Sequence, residues 1–294
     1  MKMKILLIGL NGQLGWELNR TLQPLGEVVG VDYPDIDLAR ESVIKEWTQR
    51  VQPQVIINAA AYTDVDKAES EPDLAMAING TAPGILAEQA LTLDAVLIHY
   101  STDYVFDGTK GEAYIETDQP NPLNVYGWSK LAGDHNIQQV GGVYFIFRTA
   151  WVYSMRRDGF VQKVLGWARK NETLKIVSDQ VGSPTWARML AEISTQVLAK
   201  AGNTPQRWIK KRRGLYHLGG EGIVSRYDWA KAILRYDPKK GEQICKEILP
   251  AKTDDFPTPA TRPLYSPLNC DLFADTFGLR LPEWETALRL MMGG

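Results

Sequence analysis

Apolar runs rich in β-branched and aromatic residues recur at positions 5–8, 28–31, 55–57, 96–100 and 144–147, and the stretches between them carry helical spacing instead. Leu14, Leu18, Leu22 and Leu25 mark one face of the first such helix, so the chain opens strand, helix, strand. A helix joining two strands of one sheet makes them parallel through a right-handed crossover. The rhythm predicts an α/β fold: a doubly wound parallel sheet of Rossmann type with a smaller C-terminal α/β part, the boundary falling near residue 153. Residues 175–177 and 215–218 are expected to return to the sheet edge. Helical patterns near 160–169, 187–200, 226–235 and 283–292 are expected to cover the second part, and the proline-interrupted segment 256–263 predicts a constrained loop.

Composition narrows the partners more than the fold. With 294 residues, 44% apolar content and a net charge of -2, the chain has the core of a soluble globule and lacks the basic excess of a nucleic-acid binder. The basic run Lys210-Lys211-Arg212-Arg213 reads as a solvated loop. Cys245 and Cys270 form neither a metal spacing nor a disulfide framework, which points to the cytoplasm. His99, His135 and His217 are scattered and read as satisfied structural residues without a chemical role. The start, Met1-Lys2-Met3-Lys4 before 5–9, has the outline of a signal peptide, but its apolar run is short and passes into Asn11 and Gln13, so it reads as a first strand. No apolar stretch is long enough to cross a bilayer.

Chemistry enters at the strand ends. Gly9, Gly12 and Gly15 follow the first strand and open the Leu14 helix, where bare backbone lets a pyrophosphate approach the N–H groups at the positive helix end. Asp32 ends the next strand, where a carboxylate can accept from adenosine ribose hydroxyls and repel a 2′-phosphate, favouring NAD(H); plain strand-end polarity is the competing reading. Asp37, Leu38, Ala60, Ala61 and Tyr62 are candidate walls for the two halves of a dinucleotide, or core. The fourth strand runs into Ser101-Thr102-Asp103, and Tyr126 and Lys130 follow, one helical turn apart. Tyr227/Lys231 and Tyr236/Lys240 repeat the spacing, but only Tyr126 follows a hydroxyl-tipped strand and precedes another strand. Tyr126 is therefore read as the proton donor to a ketone that receives hydride from a nicotinamide, with Thr102 holding the oxygen and Lys130 stabilising the phenolate. Bringing a phenol from about 10 to neutrality takes roughly 4 kcal/mol, which an exposed ion pair of about 0 to 1 kcal/mol cannot supply, so Lys130 is expected in a water-poor cleft.

Longer segments carry a resemblance. Gly12-Gln13-Leu14-Gly15, Asn58-Ala59-Ala60-Ala61-Tyr62-Thr63, Ser101-Thr102-Asp103-Tyr104-Val105-Phe106, Arg148-Thr149-Ala150-Trp151-Val152-Tyr153, Asp179-Gln180-x-Gly182-x-Pro184-Thr185 and Pro257-Thr258-Pro259-Ala260-x-Arg262-Pro263 resemble the extended short-chain dehydrogenase/reductases and, within them, the dTDP-4-dehydrorhamnose reductase family, over nearly the whole chain. The resemblance implies a dinucleotide-binding domain over 1–153 and, over 154–294, mainly a nucleotide-sugar domain. It implies reduction of the C4 ketone of dTDP-4-dehydro-6-deoxy-L-mannose by NADPH or NADH, with Tyr126, Lys130 and Thr102 catalytic. Gly9, Gly12, Gln13, Leu14, Gly15, Asp32, Asp37, Leu38, Ala61, Tyr62, Thr63, Tyr100, Tyr126 and Lys130 fall at cofactor positions. Thr102, Asp103, Tyr126 and Trp151 fall at sugar positions, and Arg262 is a candidate diphosphate clamp or a brace for its own loop. The loop 154–160 lacks the asparagine expected before Phe160. Some relatives resemble magnesium-linked homodimers built on glutamates; Glu17, Glu192 and Glu285 fall at similar places, but Mg2+ is not assigned.

Two rivals share the fold. A nucleotide-sugar epimerase or dehydratase keeps its NAD through a closed redox cycle, and the dehydratases place Asp-Glu after the threonine, where this chain has Asp103-Tyr104. A non-catalytic regulatory subunit of the methionine adenosyltransferase type would have no need of Thr102, Tyr126 and Lys130 together.

Overall fold

The computed structural model describes residues 3–202 and 204–293; Met1 and Lys2, which head the first apolar run, lie outside them. Five strands follow the apolar runs: β1 (Met3–Ile8), β2 (Gly26–Val31), β3 (Val55–Asn58), β4 (Val96–Thr102) and β5 (Val143–Thr149). A sixth, Gly214–His217, adds in parallel to β5 with Leu215 opposite Ile146. Across the sheet the order is β2, β1, β3, β4, β5 and Gly214–His217, all parallel. The winding reverses between β1 and β3, and at such a point an open parallel sheet leaves a crevice at its carboxyl edge.

β3 and β4 are buried along their whole length, so their sequences read as unbroken apolar runs rather than alternating ones. On one face α1 (Gln13–Leu22) packs Leu14, Leu18 and Leu22 into a cluster with Ile5, Leu7 and Val55. The other face receives α2 (Glu41–Val51) through Ile44 and Val51, and helix Ala82–Thr92 through Leu86. A third cluster around Tyr153, Val161, Ile176, Trp229 and Leu288 forms the interior of the outer region.

Two expectations change. Strand Thr173–Val177 does not reach the central sheet; it pairs with Glu247–Ala251 in a separate two-stranded sheet. Leu174 and Ile176 are buried while Thr173 and Lys175 are exposed, a one-faced pattern that suits a small covering sheet. Helix Ala187–Ala201, expected over the second region, lies on α1 instead: Leu190, Val197 and Leu198 join the first cluster, and the Thr21 and Thr195 hydroxyls meet at 2.7 Å. Among the described residues no helix is long and apolar enough to cross a membrane.

Candidate active site

The turn after β1 sets one end of a cavity of about 500 Å³ at the carboxyl edge of the sheet. Gly9 takes a φ of 91°, and a Cβ there would stand 2.6 Å from the Ala60 nitrogen. Gly15 lets α1 sit against that turn, since its Cβ would fall 1.9 Å from the Gly9 carbonyl oxygen. Gly12 caps α1 without a side-chain hydrogen bond, so the first N–H groups of the helix stay open. Gly9, Gly12, Gln13, Leu14, Asp32, Ala61 and Thr63 line this end. The Asp32 carboxylate accepts from the Asn11 and Tyr33 backbone N–H groups at 2.7 and 2.8 Å, which holds it at the rim. A bare backbone cradle, open helix-end donors and a fixed carboxylate fit a dinucleotide.

The opposite end is lined by Tyr100, Thr102, Asp103, Tyr126, Lys130 and Trp151. Tyr126 sits in the first turn of helix Val125–Val140, whose start is pinned by Asn124: its Oδ1 accepts from the Gly127 N–H at 2.8 Å, and its Nδ2 donates to the Thr261 carbonyl at 2.7 Å. Burial pushes the Tyr126 hydroxyl well above the usual phenol range; the nearby Thr102 hydroxyl acts against this, while the Asp103 charge adds to it. Lys130 is 1% exposed, and its Nζ donates to the Tyr100 carbonyl at 2.6 Å and lies 3.1 Å from His99 Nε2. Burial brings Lys130 down to about 8 against the pull of Asp134. Both groups are driven toward their neutral forms, so in this state Tyr126 is a loaded phenol.

Thr102 has one proton to give, and it points to Asp103 Oδ1 at 3.2 Å while its oxygen accepts from the Tyr104 N–H at 3.1 Å. To hold a substrate oxygen, the hydroxyl has to turn away from Asp103. Ser266 donates to Asp103 Oδ2 at 2.6 Å; burial lifts the Asp103 carboxyl to about 6, opposed by the Ser266 and Thr102 hydrogen bonds. Trp151 adopts a φ of 44°, a left-handed conformation that costs a non-glycine residue about 1 to 3 kcal/mol and is held here by packing. Its indole lies on Gly182, where a Cβ would come within 2.7 Å, and stacks on Trp229 at 5.7 Å.

The Arg226 guanidinium also lies over Trp151, 3.6 Å from the ring centroid. Arg226 lines a second cavity of about 680 Å³, with Phe160, Trp167, Lys175, Phe256 and Thr258, so the Arg226–Trp151 pair stands between the two. No carboxylate closes a salt bridge on Arg226 among the described residues; burial lowers its pKa to about 10, offset by Tyr104 and Asp103. Such a cation has unused hydrogen-bonding capacity for an anion.

A family model described as the RmlD substrate binding domain matches residues 3–293. The chain belongs to this family. A dTDP-4-dehydrorhamnose reductase of Burkholderia thailandensis is 41% identical, the match covering 98% of this chain and 97% of that one. The crystal structure of a dTDP-4-dehydrorhamnose reductase of Clostridium acetobutylicum is similar with a TM-score of 0.90 at 36% identity, covering 99% of both chains. The same reductase of Bacillus anthracis, solved in complex with NADP, gives a TM-score of 0.89 at 32% identity, again over 99% of both.

Several residues that the resemblance to the reductase family marked lie away from the cavity lining. Asp37 accepts from the Ala39 N–H at 3.0 Å, Leu38 is core, and the Tyr62 hydroxyl donates to Glu71 at 2.6 Å. Tyr100, by contrast, lines the cavity: it gives its carbonyl to Lys130 while its ring packs in the core. Arg262 lines the second cavity, and its two terminal nitrogens fork onto Asp66 at 3.1 and 2.7 Å while one also meets Thr258 and Ala260, which is the brace given as the alternative to a diphosphate clamp. Of the glutamates considered for a metal-linked dimer, Glu17 and Glu192 share Arg20, and Glu285 is bonded to Tyr236; no metal-binding cluster occurs among the described residues. The other Tyr/Lys pairs serve packing: the Tyr227 hydroxyl donates to Ile248 and that of Tyr236 to Glu285. In the 154–160 loop, Arg157 and Asp158 line the cavity and Ser154 donates to Gln13 at 2.9 Å.

Arg226 and His99, with Arg157 and Asp158, are among the residues that sequence reasoning missed. Arg226 looks like any basic residue at the start of an amphipathic helix. His99 had a signal, a polar ring inside an otherwise apolar strand, but nothing local told what it would face.

Proposed function

We propose that this chain reduces the C4 ketone of dTDP-4-dehydro-6-deoxy-L-mannose to dTDP-L-rhamnose with NADPH or NADH. What carries the proposal is one cavity that has the open amide end of α1 on one side and Thr102, Tyr126 and Lys130 on the other. The dinucleotide supplies a hydride when bound. Gly9, Gly12 and α1 receive its pyrophosphate, and Asp32 accepts from a ribose hydroxyl. Tyr126, kept protonated by burial, gives its proton to the C4 oxygen as charge develops there, and Thr102 donates a second hydrogen bond after turning from Asp103. Lys130 stabilises the resulting phenolate. Trp151 packs against the deoxysugar.

The second cavity suits the nucleotide. Arg226 is assigned to the diphosphate ahead of Arg262, which lines the same cavity but is already forked onto Asp66, and Phe160, Trp167 and Phe256 offer apolar surface to a base. Both cofactors are assigned: Asp32 disfavours a 2′-phosphate, whereas the NADP in the Bacillus anthracis relative favours one. The free, partly buried Cys245 and Cys270 support a cytoplasmic setting.

Absorbance of the reduced nicotinamide tests the reaction class. With dTDP-4-dehydrorhamnose, one equivalent of NADH or NADPH should be oxidised per sugar. Turnover of the sugar with no net oxidation would make the chain an epimerase and end this proposal.

A further inference from the structure

Behind Lys130 lies a buried chain of polar groups. His99 and Asn58 are 0% and 1% exposed, and they link Lys130 to the backbone after β3. The Ala60 N–H donates to Asn58 Oδ1 at 3.2 Å, Asn58 Nδ2 lies 3.1 Å from His99 Nδ1, and His99 Nε2 lies 3.1 Å from Lys130 Nζ. Counting donors assigns every proton. A backbone N–H can only donate, so the Asn58 oxygen faces Ala60 and its NH2 faces the ring. His99 Nδ1 must then accept, which excludes both the Nδ1–H tautomer and the imidazolium. The proton is left on Nε2, aimed at Lys130. An ammonium has three N–H groups and no lone pair, so it would meet Nε2–H donor to donor.

We propose that His99, locked as its Nε2–H tautomer by Asn58 and the Ala60 N–H, is a positioning residue that holds Lys130 withdrawn against β4 and disfavours its ammonium form. Its significance for catalysis rests on the role given to Lys130 above: a lysine drawn back to Tyr100 and His99, with its charge disfavoured, leaves Tyr126 in the phenol form that donates. Charging Lys130 requires the His99 bond to break, so His99 sets the pH at which the lysine becomes available. The other groups around the amine are accounted for. Asp134, one turn further along the helix, favours the ammonium, but Arg148 Nε holds its Oδ2 at 3.0 Å; the Tyr100 carbonyl accepts from either form; Tyr126 and Asp103 line the same cavity.

The test uses the full chain without dinucleotide or substrate, so it does not depend on the reaction. Nitrogen NMR of the imidazoles between pH 6 and 9, with His99 assigned by His99→Gln, should show one neutral ring protonated at Nε2. Carbon-labelled lysine, with Lys130 assigned by Lys130→Arg, should titrate near 8 in the wild type. In His99→Gln an amide carbonyl can face the ammonium, and the titration should rise by about one unit or more. Asn58→Asp gives the ring an acceptor at Nδ1, so it should move the His99 proton to Nδ1 and raise Lys130 as well, which keeps the proposal testable should His99→Gln fail to fold. An Nδ1–H or charged His99 in the wild type, or a Lys130 titration unmoved by either substitution, would overturn it. Tyr126→Phe turning over normally would remove the catalytic meaning and leave the tautomer result standing.

Discussion

The two cavities are built by opposite means. The first is made from the ends of rigid elements: backbone at Gly9 and Gly12, the tip of β4, and the first two turns of helix Val125–Val140, with Asp103, Tyr126 and Lys130 buried and shifted from their ordinary titration. The second is made from side chains on the outer region, two arginines, two lysines and aromatics drawn from positions 160 to 262 and resting on a two-stranded sheet. Chemistry needs atoms fixed to a fraction of an ångström, which strands and helices provide, whereas holding a nucleotide needs area and positive charge. Substitutions should therefore separate cleanly: changes in the first cavity alter turnover, changes in the second alter substrate binding.

The largest expected effect is at Tyr126. Tyr126→Phe should lower kcat by about 10²- to 10⁴-fold, the range of a lost general acid, with dinucleotide affinity retained in a fluorescence titration. An equal loss of binding would mean that the phenol holds ligand rather than reacting.

Lys130 sharpens the contrast through pH. Its folded pKa near 8 lies below the ordinary 10.5, so between those values the unfolded chain carries a proton that the folded chain has lost. Stability should rise with pH across that window by roughly 3 kcal/mol relative to Lys130→Met, as read by urea unfolding at both ends. Parallel pH profiles for the two proteins would contradict the burial of a neutral amine.

Arg226→Gln should raise KM for the nucleotide sugar roughly 10- to 100-fold and leave kcat within a few-fold, the scale of lost charge-assisted hydrogen bonds. The same change leaving KM untouched would return the diphosphate to another residue. Asp32→Ser should shift the NADPH-to-NADH preference by about tenfold toward NADPH in initial-rate measurements.

The smallest effect belongs to the brace. Asp66→Asn breaks the fork with Arg262, which is part exposed, and should cost about 1 kcal/mol or less by thermal unfolding. The arginine holds the Asp66 carboxyl below its usual range, so this contribution is present at neutral pH and fades as acid protonates Asp66.

What the sequence could tell follows the same division. The five strands and the glycine turn were legible because burial on two faces writes unbroken apolar runs, and a turn of positive φ writes glycine. Tyr126 and Lys130 were legible as a helical pair because their spacing is local. Strand Thr173–Val177 was misplaced since a short apolar run does not reveal which sheet it joins, and helix Ala187–Ala201 since amphipathicity does not name the surface it covers. The brace at Arg262 and the stacked cation at Arg226 were not legible because their partners, Asp66 and Trp151, lie far away in the chain. His99 escaped for the same reason: its partners Asn58 and Lys130 are 41 and 31 residues distant.

A nicotinamide hydride and the Tyr126 proton should meet on one carbonyl. Reduced nicotinamide carrying deuterium at the transferring position, supplied with dTDP-4-dehydrorhamnose, tests it most directly. One deuterium is expected on C4 of each dTDP-L-rhamnose formed, at a rate that collapses in Tyr126→Phe. Product with hydrogen from solvent at C4, or an unchanged rate in the variant, would contradict it.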